Sequence, residues 1–467
     1  MADDPIVDAV ERFAKDQIDA RAIDHDKRIP RAVIEGLAEM GLFGLTIPEQ
    51  WGGIGLELPR VAKVIAAIAK VDRSVATTVG LHGGLGTRGL VAYGTDAQKE
   101  RWLPDLASGK RLAAFATTES EAGSDLTAIR TRAVPEGDDY VLNGQKIYVT
   151  NGALADVFTL SVASSTPEAR RGLQLMVFEK GDGIVVGAEE EKLGLRGSST
   201  TSLFLDGVRV PSSRALGAPT KGSDQLSHVL CVGRTLMAAG CVGSATGAID
   251  KAVRHTMNRR QFGKALASLE VVREQLATME VLRAAMEALV DVTTRALDEE
   301  MKLHRLSLAA KIFCSESAWE ITDLAVQLHG GSGFVEETGV AILQRDARIT
   351  RIFEGANDVL RVRLGLMYAG MIPAVATGPL GEVVRDQAIA LKAAYGVRLA
   401  TQPRELWRLG GLVTLAETAA ALAGSGAPAD TIEHFNALAQ ERAAVLVGGP
   451  LALGPIDTIC KRLLEAQ

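Results

Sequence analysis

The sequence predicts an α+β multidomain fold in four consecutive parts, and three observations support this prediction. The 467 residues are 47% hydrophobic and 23% charged, which is an ordinary globular composition with length for several domains. Helical periodicity covers the first quarter of the chain and most of its second half, whereas short β-branched runs lie between them. The predicted parts are an N-terminal helical domain (1–112), a small middle antiparallel β-barrel (113–221), a C-terminal four-helix bundle (222–370) and an additional helical region (371–467).

Helices separated by glycine and proline are predicted for the N-terminal part. "RAVIEGLAEMGLFGLTIPEQWGGIG" (31–55) has helical spacing and then ends in a loop rich in proline and glycine. "LPRVAKVIAAIAKVDRSVATTVGLHGGLG" (58–86) predicts another apolar helix with a glycine-rich end. "DAQKERWLPDLASGK" (96–110) predicts a short helix that is ended by Pro104 and Gly109.

Strand and turn signals mark the middle part. In "YVLNGQKIYVTNG" (140–152), Asn143-Gly144 lies between two extended runs and predicts a hairpin, and "TTSLFLDGVRVP" (200–211) predicts a second one at Asp206-Gly207. "ADVFTLSVAS", "LQLMVFEK" and "GIVVG" predict further short strands. Strands this short and this closely spaced favour a small antiparallel barrel or a sandwich.

Long amphipathic helices are predicted from about residue 222 onward. "GRTLMAAGCVGSATGAIDKAVRHTMNRRQFG" (233–263) predicts one long helix whose small residues would let another helix approach closely. "HRLSLAAKIFCSESAWEITDLAVQLHGG" (304–331) predicts another, and a last helix covers about 358–368. The helix between them has an apolar stripe that steps by three or four residues, through Leu276, Met279, Leu282, Met286 and Leu289.

Composition excludes several classes of protein. A net charge of −6, a pI near 5.8 and 4% aromatic residues argue against nucleic acid as a partner. The N-terminus lacks the basic start and apolar core of a secretory signal, and no apolar run reaches about 18 residues, the length needed to span a bilayer. We expect a soluble cytoplasmic protein, with peripheral contact at the inner membrane face left open. No CxxC pair occurs among the four cysteines, which are Cys231, Cys241, Cys314 and Cys460.

Five stretches could carry chemistry, and each also has a plain structural explanation. "AFATTESEAGSDLTAIR" (114–130) could present donors to a ring or an anion, or be a polar turn. "IYVTNG" (147–152), with Tyr148 and Thr150 on one side of a strand, could bracket a flat heterocycle or belong to the core. "NRRQFG" (258–263) could bind a phosphate, although surface arginines are common.

The last two stretches lie near the end of the bundle. "QLHGGSGF" (327–334) contains more glycine than a helix C-cap needs, so its backbone could approach a ligand, while His329 is assigned to packing. "RIFEGANDVLR" (351–361) contains one acid, Glu354, which is either a helix-start acid or a base aimed into a cavity. Neither a P-loop nor a dinucleotide-binding glycine motif is supported.

Together and in this order, "TESEAGSD", "RRQFGK", "QLHGGSGF" and "RIFEGAND" resemble the motifs of the acyl-CoA dehydrogenase family over roughly residues 5–370. "AQKERWLPDLASG", "DGVRVP" and "KIFCSESAW" are most similar to the very-long-chain branch, which carries an extra helical domain. The resemblance implies an FAD-dependent enzyme of fatty-acid β-oxidation that converts an acyl-CoA to trans-2-enoyl-CoA. In that reaction a base removes the α-proton while a hydride leaves the β-carbon for flavin N5.

The resemblance also implies roles for individual residues. Glu354 is the expected catalytic base, and its backbone N–H helps to bind the thioester oxygen. The expected substrate-binding residues are Ser124, Arg234, Phe353 and Gly355, and no metal is expected. The expected FAD-binding residues are Phe115, Thr117, Thr118, Ser124, Tyr148, Thr150, Arg259, Phe262, Gln327, Gly330, Gly331, Asn357 and Asp358. Those from Arg259 to Gly331 are expected to reach the FAD of a neighbouring subunit.

Several features distinguish this chain within the family pattern. Some members place the base one residue before the position of Arg234, but Gly233 stands there and cannot serve. Tyr148 replaces a usual tryptophan, and Ala356 replaces a usual threonine. The floor of the acyl pocket is expected near 77–81, where Leu81 could shorten it.

The resemblance further implies an electron-transfer flavoprotein as the electron acceptor, and a homodimer with a tetramer as the alternative. Two other functions stay open at this point: an acyl-CoA oxidase, and a non-catalytic scaffold that has kept the fold.

Overall fold

The structure is a computed structural model of the chain and describes residues 4–164, 172–218, 221–298, 304–370 and 378–447. Its four parts follow the predicted order of helices, β domain, helical bundle and further helices. The N-terminal part consists of α1 (Pro5–Gln17), α2 (Ala20–Asp26), α3 (Arg31–Glu39), α4 (Leu58–Ala69), α5 (Arg73–Leu81), α6 (Arg88–Tyr93) and α7 (Asp96–Ala107).

Two predictions for these helices are wrong. The single helix expected over 58–86 is interrupted, because the carboxylate of Asp72 accepts a hydrogen bond from the Val75 backbone N–H at 2.7 Å and starts α5 anew. Pro104 does not end α7 but lies inside it, and the chain leaves the helix at Ser108 and Gly109, where φ is +72°. A proline removes only one helical hydrogen bond, and Trp102, Leu103 and Leu106 around it are buried.

The middle part is one eight-stranded sheet with the order β6-β7-β3-β2-β4-β5-β8, and β1 pairs with β4. The β-domain prediction is confirmed, but the sheet is mixed and not wholly antiparallel, since β1 and β2 each pair parallel with β4. The strands are β1 (Ala113–Ala116), β2 (Arg132–Glu136), β3 (Asp139–Thr150), β4 (Val157–Ser164), β5 (Leu173–Glu179), β6 (Val185–Glu189), β7 (Thr200–Pro211) and β8 (Ala215–Leu216).

Both predicted hairpins in this domain are wrong. Asn143-Gly144 lies inside β3 and Asp206-Gly207 lies inside β7, where the register between the two strands shifts. Asn143 Oδ1 accepts a hydrogen bond from the Gly207 N–H at 2.8 Å, so the two dipeptides form a paired irregularity between neighbouring strands. Gly207 has a φ of +61°, the conformation that a hairpin turn would also have required. The real turn after β2 uses Gly137, with a φ of +64°.

The C-terminal part is helical, as predicted. It comprises α8 (Gly222–Asn258), the short strands β9 (Arg260–Gln261) and β10 (Lys264–Ala265), α9 (Glu270–Asp298), α10 (His304–His329), α11 (Gly331–Phe334), α12 (Val340–Ile349) and α13 (Asn357–Gly370). Within the described residues, α8 alone is long and apolar enough to cross a membrane, and 94% of its most apolar window is buried inside the protein. The small residues of α8 do admit another helix, because a Cβ added at Gly243 would lie 2.1 Å from the Ala66 carbonyl oxygen of α4.

The described part of the additional region forms α14 (Pro379–Tyr395), α15 (Pro403–Gly424) and α16 (Ala429–Val447). α15 packs against α9, α10 and α13, so this region is continuous with the bundle. The side chains of α15 and of α1 to α5 belong to one hydrophobic core, and the β domain has a core of its own. Buried side chains of α6 and α7 pack against β4, β5 and β8 in a third cluster. Cys460 lies outside the described residues, and the three described cysteines are free and buried.

Candidate functional site

Glu354 lies in the loop between α12 and α13, with a backbone φ of +60°. This left-handed conformation is unfavourable for a glutamate, so the surrounding contacts have to hold it. Arg234 of α8 provides one of them, since its Nε donates a hydrogen bond to the Glu354 carbonyl oxygen at 2.8 Å. A Cβ added at Gly233 would lie 3.1 Å from Glu354 Oε2 and 2.4 Å from a Leu85 methyl carbon. The missing side chain at residue 233 therefore makes room for the carboxylate of residue 354.

The carboxylate of Glu354 is suited to act as a base. Its Oε2 is buried and has no hydrogen-bond partner among the described residues. Burial raises the pKa of Glu354 to about 7, while the positive charges of Arg234 and Lys311 oppose the rise. A carboxylate without a partner and with a pKa near neutrality can accept a proton from a bound molecule.

A second anchor of this loop was missed in the sequence analysis. Lys311 Nζ on α10 donates to Asn357 Oδ1 at 2.6 Å, and the Asn357 amide nitrogen donates to Ser315 Oγ at 2.9 Å and to Glu316 Oε1 at 2.8 Å. Lys311 is fully buried, and burial lowers its pKa to about 7. The sequence did contain a sign of this buried anchor, because Lys311 is the one charged residue in the apolar run "LAAKIF" (308–313).

The side chain of Asn357 is buried and its amide is engaged with α10. These contacts fix the end of the loop that carries Glu354. The contact between Asn357 and the cofactor that the resemblance implies stays a prediction.

Asp358, the next residue for which a cofactor contact is predicted, binds the additional helical region. Its Oδ1 accepts a hydrogen bond from the Trp407 indole N–H of α15 at 2.8 Å, and the guanidinium of Arg361 lies 4.7 Å from the centre of the Trp407 ring. The additional helical region thus binds the first turn of α13. Sequence spacing could not reveal this contact, since it joins residues 49 positions apart.

A narrow cavity opens beside Glu354. It is lined by Phe353 and by side chains of α4, α5 and α8, namely Ile65, Arg73, Ala76, Thr77, Gly80, Leu81, Gly233, Leu236 and Met237. Its volume is about 20 Å³, room for about one water molecule, and its walls are mostly apolar. The residues 77–81 expected at the pocket floor include Thr77, Gly80 and Leu81 of this lining. Arg73 was not singled out in the sequence.

A second group of expected site residues lies at one edge of the β domain. The Thr118 carbonyl oxygen accepts a hydrogen bond from the Ile147 N–H at 2.9 Å, which brings the loop after β1 next to Tyr148. Tyr148 has a φ of +56°, at an irregularity between β3 and β7, and 65% of it is exposed. Of the other expected cofactor-binding residues in this domain, Phe115, Thr117 and Thr150 are half-buried, whereas Ser124 is exposed.

A buried ion pair that the sequence analysis did not identify positions this loop. Lys146 Nζ lies 2.7 Å from Glu119 Oε1, and both side chains are buried. Glu119 also accepts hydrogen bonds from the backbone N–H groups of Arg130 and Thr131 at 2.7 and 3.0 Å. Glu119, near the start of "TESEAGSD", therefore links this loop to β3 through Lys146 and to the residues that follow the loop.

A third group lies at the far ends of α8 and α10. The rings of His255 and His329 stack with centroids 4.3 Å apart, and His329 Nδ1 donates to the Ala325 carbonyl at 2.7 Å, so the packing role of His329 is confirmed. The residues around this stack are exposed, including Arg259, Phe262, Gln327, Gly330 and Gly331. The 26 residues from Gly233 to Arg259 span about 39 Å of helix, so this group does not meet Glu354 within one chain.

The edge of the β domain fits an aromatic cofactor. The exposed ring of Tyr148 offers a stacking face, and the hydroxyls of Thr118 and Thr150 offer hydrogen-bonding groups, while the Thr117 hydroxyl is hydrogen-bonded to Ser161 Oγ. The domain rests on α5, because Asn151 Nδ2 donates to the Thr78 carbonyl at 3.0 Å, and α5 lines the cavity beside Glu354. Within the described ranges, no group of three or more His, Cys, Asp or Glu residues could hold a metal ion.

Comparison with known proteins gives consistent results along the chain. Models of the acyl-CoA dehydrogenase N-terminal, middle and C-terminal domains match residues 3–110, 114–208 and 220–365. The chain is 40% identical over 370 residues to the human very long-chain specific acyl-CoA dehydrogenase of mitochondria, which covers 77% of this chain and 56% of that protein. The chain thus spans little more than half the length of that relative.

Two further relatives extend the comparison. A probable acyl-CoA dehydrogenase of Mycobacterium leprae is 36% identical over 357 residues, covering 76% of this chain and 92% of that protein. Among solved structures, an acyl-CoA dehydrogenase from Bacillus anthracis complexed with FAD superposes with a TM-score of 0.85 at 27% identity. That alignment covers 94% of this chain and 86% of the solved one, so it includes most of the additional helices.

Proposed function

The chain belongs to the acyl-CoA dehydrogenase family, and from this premise we propose that it is an FAD-dependent acyl-CoA dehydrogenase of fatty-acid β-oxidation. It would oxidise a fatty acyl-CoA thioester to the trans-2-enoyl-CoA. The observation that carries the proposal is the buried, unpartnered carboxylate of Glu354, which lies beside an apolar cavity and has a pKa of about 7.

In the proposed reaction, Glu354 acts on the substrate and two other residues hold its loop in place. Glu354 accepts the α-proton, which a thioester makes only weakly acidic, and its backbone N–H stabilises the negative charge that develops on the thioester oxygen. Arg234 and Asn357 hold the loop in the conformation with a φ of +60° that presents the carboxylate. FAD, when bound by the edge of the β domain, supplies the acceptor for the hydride from the β-carbon.

Anaerobic mixing with a ladder of acyl-CoA chain lengths tests the proposal. The purified protein should carry the 450 nm absorbance of flavin, and at least one acyl-CoA should bleach it. Protein that carries no flavin absorbance would instead support the scaffold alternative. Rapid oxygen consumption without need of an artificial electron acceptor would support the oxidase alternative.

The pH dependence of the same reaction reports on the base. Because the pKa of Glu354 is raised from its ordinary 4.5 to about 7, the carboxyl group is protonated below that pH. We expect the rate of flavin reduction to rise about tenfold per pH unit up to about pH 7 and then to level off. Stopped-flow reduction between about pH 5 and 9 measures this profile. A midpoint that stays near 4.5 would contradict the raised pKa.

A homodimer is the assembly that the third group of residues supports. Arg259 and Phe262 follow the C-terminal end of α8, about 39 Å of helix from Gly233, and Phe262 and Phe334 are 87% and 86% exposed. They can contribute to a flavin site only in a second copy of the chain, with a tetramer as the larger alternative. Sedimentation of the flavin-loaded protein as a monomer would contradict this part of the proposal.

Electron transfer and location are further parts of the proposal. An electron-transfer flavoprotein would reoxidise the enzyme in the cytoplasm, with peripheral contact at the inner face of the membrane through the additional helical region. Reoxidation by a purified electron-transfer flavoprotein tests the first part. Co-sedimentation of the intact chain with lipid vesicles tests the second, because truncation before α14 would expose the core that α15 covers.

A further inference from the structure

Arg73 is a buried cation that has no counterion among the residues that the structure describes. It lies in the first turn of α5, is 3% exposed and lines the cavity beside Glu354. One nitrogen, Nη2, donates to the Met237 carbonyl oxygen at 2.8 Å and to Cys241 Sγ at 3.8 Å, while Nε and Nη1 have no hydrogen-bond partner among the described residues. Within the described part of the chain, no carboxylate forms an ion pair with Arg73.

Other buried cations of this protein bond either to neutral oxygens, as Lys311 and Arg234 do, or to carboxylates. Lys146 pairs with Glu119 at 2.7 Å, and Arg214 pairs with Asp182 at 3.0 Å. A charge removed from water is costly unless a partner of opposite sign compensates it, and unpaired buried donors are rare. An anionic or hydrogen-bond-accepting group of a bound molecule in the cavity would therefore stabilise the guanidinium of Arg73.

The position of Arg73 in the cavity defines where that group would lie. A Cβ added at Gly240 would lie 2.1 Å from Arg73 Nη1, and one added at Gly84 would lie 3.7 Å from the Gly233 Cα atom. α5 and the turn after it thus run antiparallel to α8, with Arg73 beside residue 240 and Glu354 beside residue 233. Seven residues of helix span about 10 Å, so the base and the guanidinium lie at opposite ends of the cavity.

We propose that the acyl group oxidised by this protein carries a carboxylate at its far end, and that Arg73 binds it. This inference rests on the proposed function and deepens it by naming the substrate class. A carboxylate fits better than a hydroxyl group, because it neutralises the fixed charge and can accept a charge-assisted hydrogen bond from Nε or from Nη1.

The spacing also limits the length of the chain. An extended saturated chain advances roughly 1.3 Å per carbon, so a separation of about 10 Å corresponds to an acyl group of about six to ten carbons. The side chains of Leu236 and Met237 must move to admit it, since the cavity volume is about 20 Å³. Methionine adapts readily to such changes because it has three rotatable bonds.

The test compares matched substrates that differ only at the far end: suberyl-CoA, octanoyl-CoA and 8-hydroxyoctanoyl-CoA. We expect kcat/KM of the wild-type protein to be at least tenfold higher for suberyl-CoA than for octanoyl-CoA. In Arg73→Met this ratio should fall at least a hundredfold, mainly through loss of suberyl-CoA oxidation. Arg31→Met, at an exposed arginine of α3, is the matched control and should keep the wild-type ratio.

The possible outcomes separate the inference from the proposed function. Oxidation of octanoyl-CoA with no preference for suberyl-CoA would overturn the inference and leave the function intact. No flavin reduction by any acyl-CoA would overturn the function itself. A parallel loss for both substrates in Arg73→Met would assign Arg73 to holding α5 on α8. If Arg73→Met does not fold, the wild-type ratio and Arg73→Lys, which keeps the charge and loses the fork, decide the question.

Discussion

Replacing Glu354 by glutamine is expected to lower turnover with acyl-CoA by at least about a hundredfold, the usual contribution of a general base. The amide cannot accept the α-proton, and the Oε2 position is otherwise without a partner among the described residues. Gly233, the other position where some relatives of this family place a base, has no side chain. Among the described residues that line the cavity there is no aspartate or glutamate that could replace it.

The same variant should keep its fold and its flavin. Burial disfavours the charged form of Glu354, as its raised pKa shows, so a neutral amide removes a cost of folding above pH 7. Thermal unfolding at pH 8 should therefore occur at the same temperature or slightly higher, with the flavin absorbance unchanged. Glu287→Gln, at an exposed acid of α9, controls for the substitution itself. Near-normal flavin reduction by acyl-CoA in Glu354→Gln would contradict the assignment of Glu354 as the catalytic base.

Replacing Gly410 by alanine is expected to destabilise the protein by about 1–3 kcal/mol, the usual cost of overpacking. A Cβ at residue 410 would lie 2.0 Å from the Arg361 carbonyl oxygen of α13, and one at Gly365 would lie 2.0 Å from the Leu406 carbonyl oxygen of α15. The two helices touch backbone to backbone at these glycines. Both clashing atoms are backbone carbonyl oxygens, which cannot rotate away as a side chain can. The added methyl group therefore fits only if the two helices move apart.

Chemical denaturation of the purified protein measures this effect as a shift in midpoint at unchanged slope. Gly424→Ala is a matched control in the same helix, because nothing lies within 4 Å of a Cβ at that residue. Alanine has the higher helix propensity, so this control should be neutral or slightly stabilising. Equal stability of Gly410→Ala and Gly424→Ala would show that α13 and α15 are not closely packed.

The outcome for Gly410→Ala also bears on the active loop. α13 begins directly after that loop, and Trp407 of α15 binds Asp358 in its first turn. Separation of the helices should therefore reduce turnover as well as stability. The additional helical region would then be a structural support of the site and not only a surface for assembly or for a membrane.

The order of the parts could be predicted because hydrophobic periodicity is a local property. A hydrophobic period near 3.6 over 233–263 predicts a helix, and short β-branched runs over 155–187 predict strands. Neither prediction needs information from the rest of the chain. The two hairpin predictions failed for a related reason. Asn143-Gly144 and Asp206-Gly207 do provide positions for unusual backbone angles, but whether such a dipeptide forms a turn or a strand irregularity depends on the strand beside it.

Four features could be predicted from local sequence patterns: the four-part architecture, the family motifs, the single acid at Glu354 and the glycine at residue 233. How these residues act depends on contacts between distant parts of the chain. Arg234 and the Glu354 carbonyl lie 120 residues apart in the chain, Lys311 and Asn357 lie 46 apart, and Arg73 and Met237 lie 164 apart. Burial, an unpaired charge and the competition for hydrogen bonds arise from such distant neighbours, and local sequence patterns do not contain them.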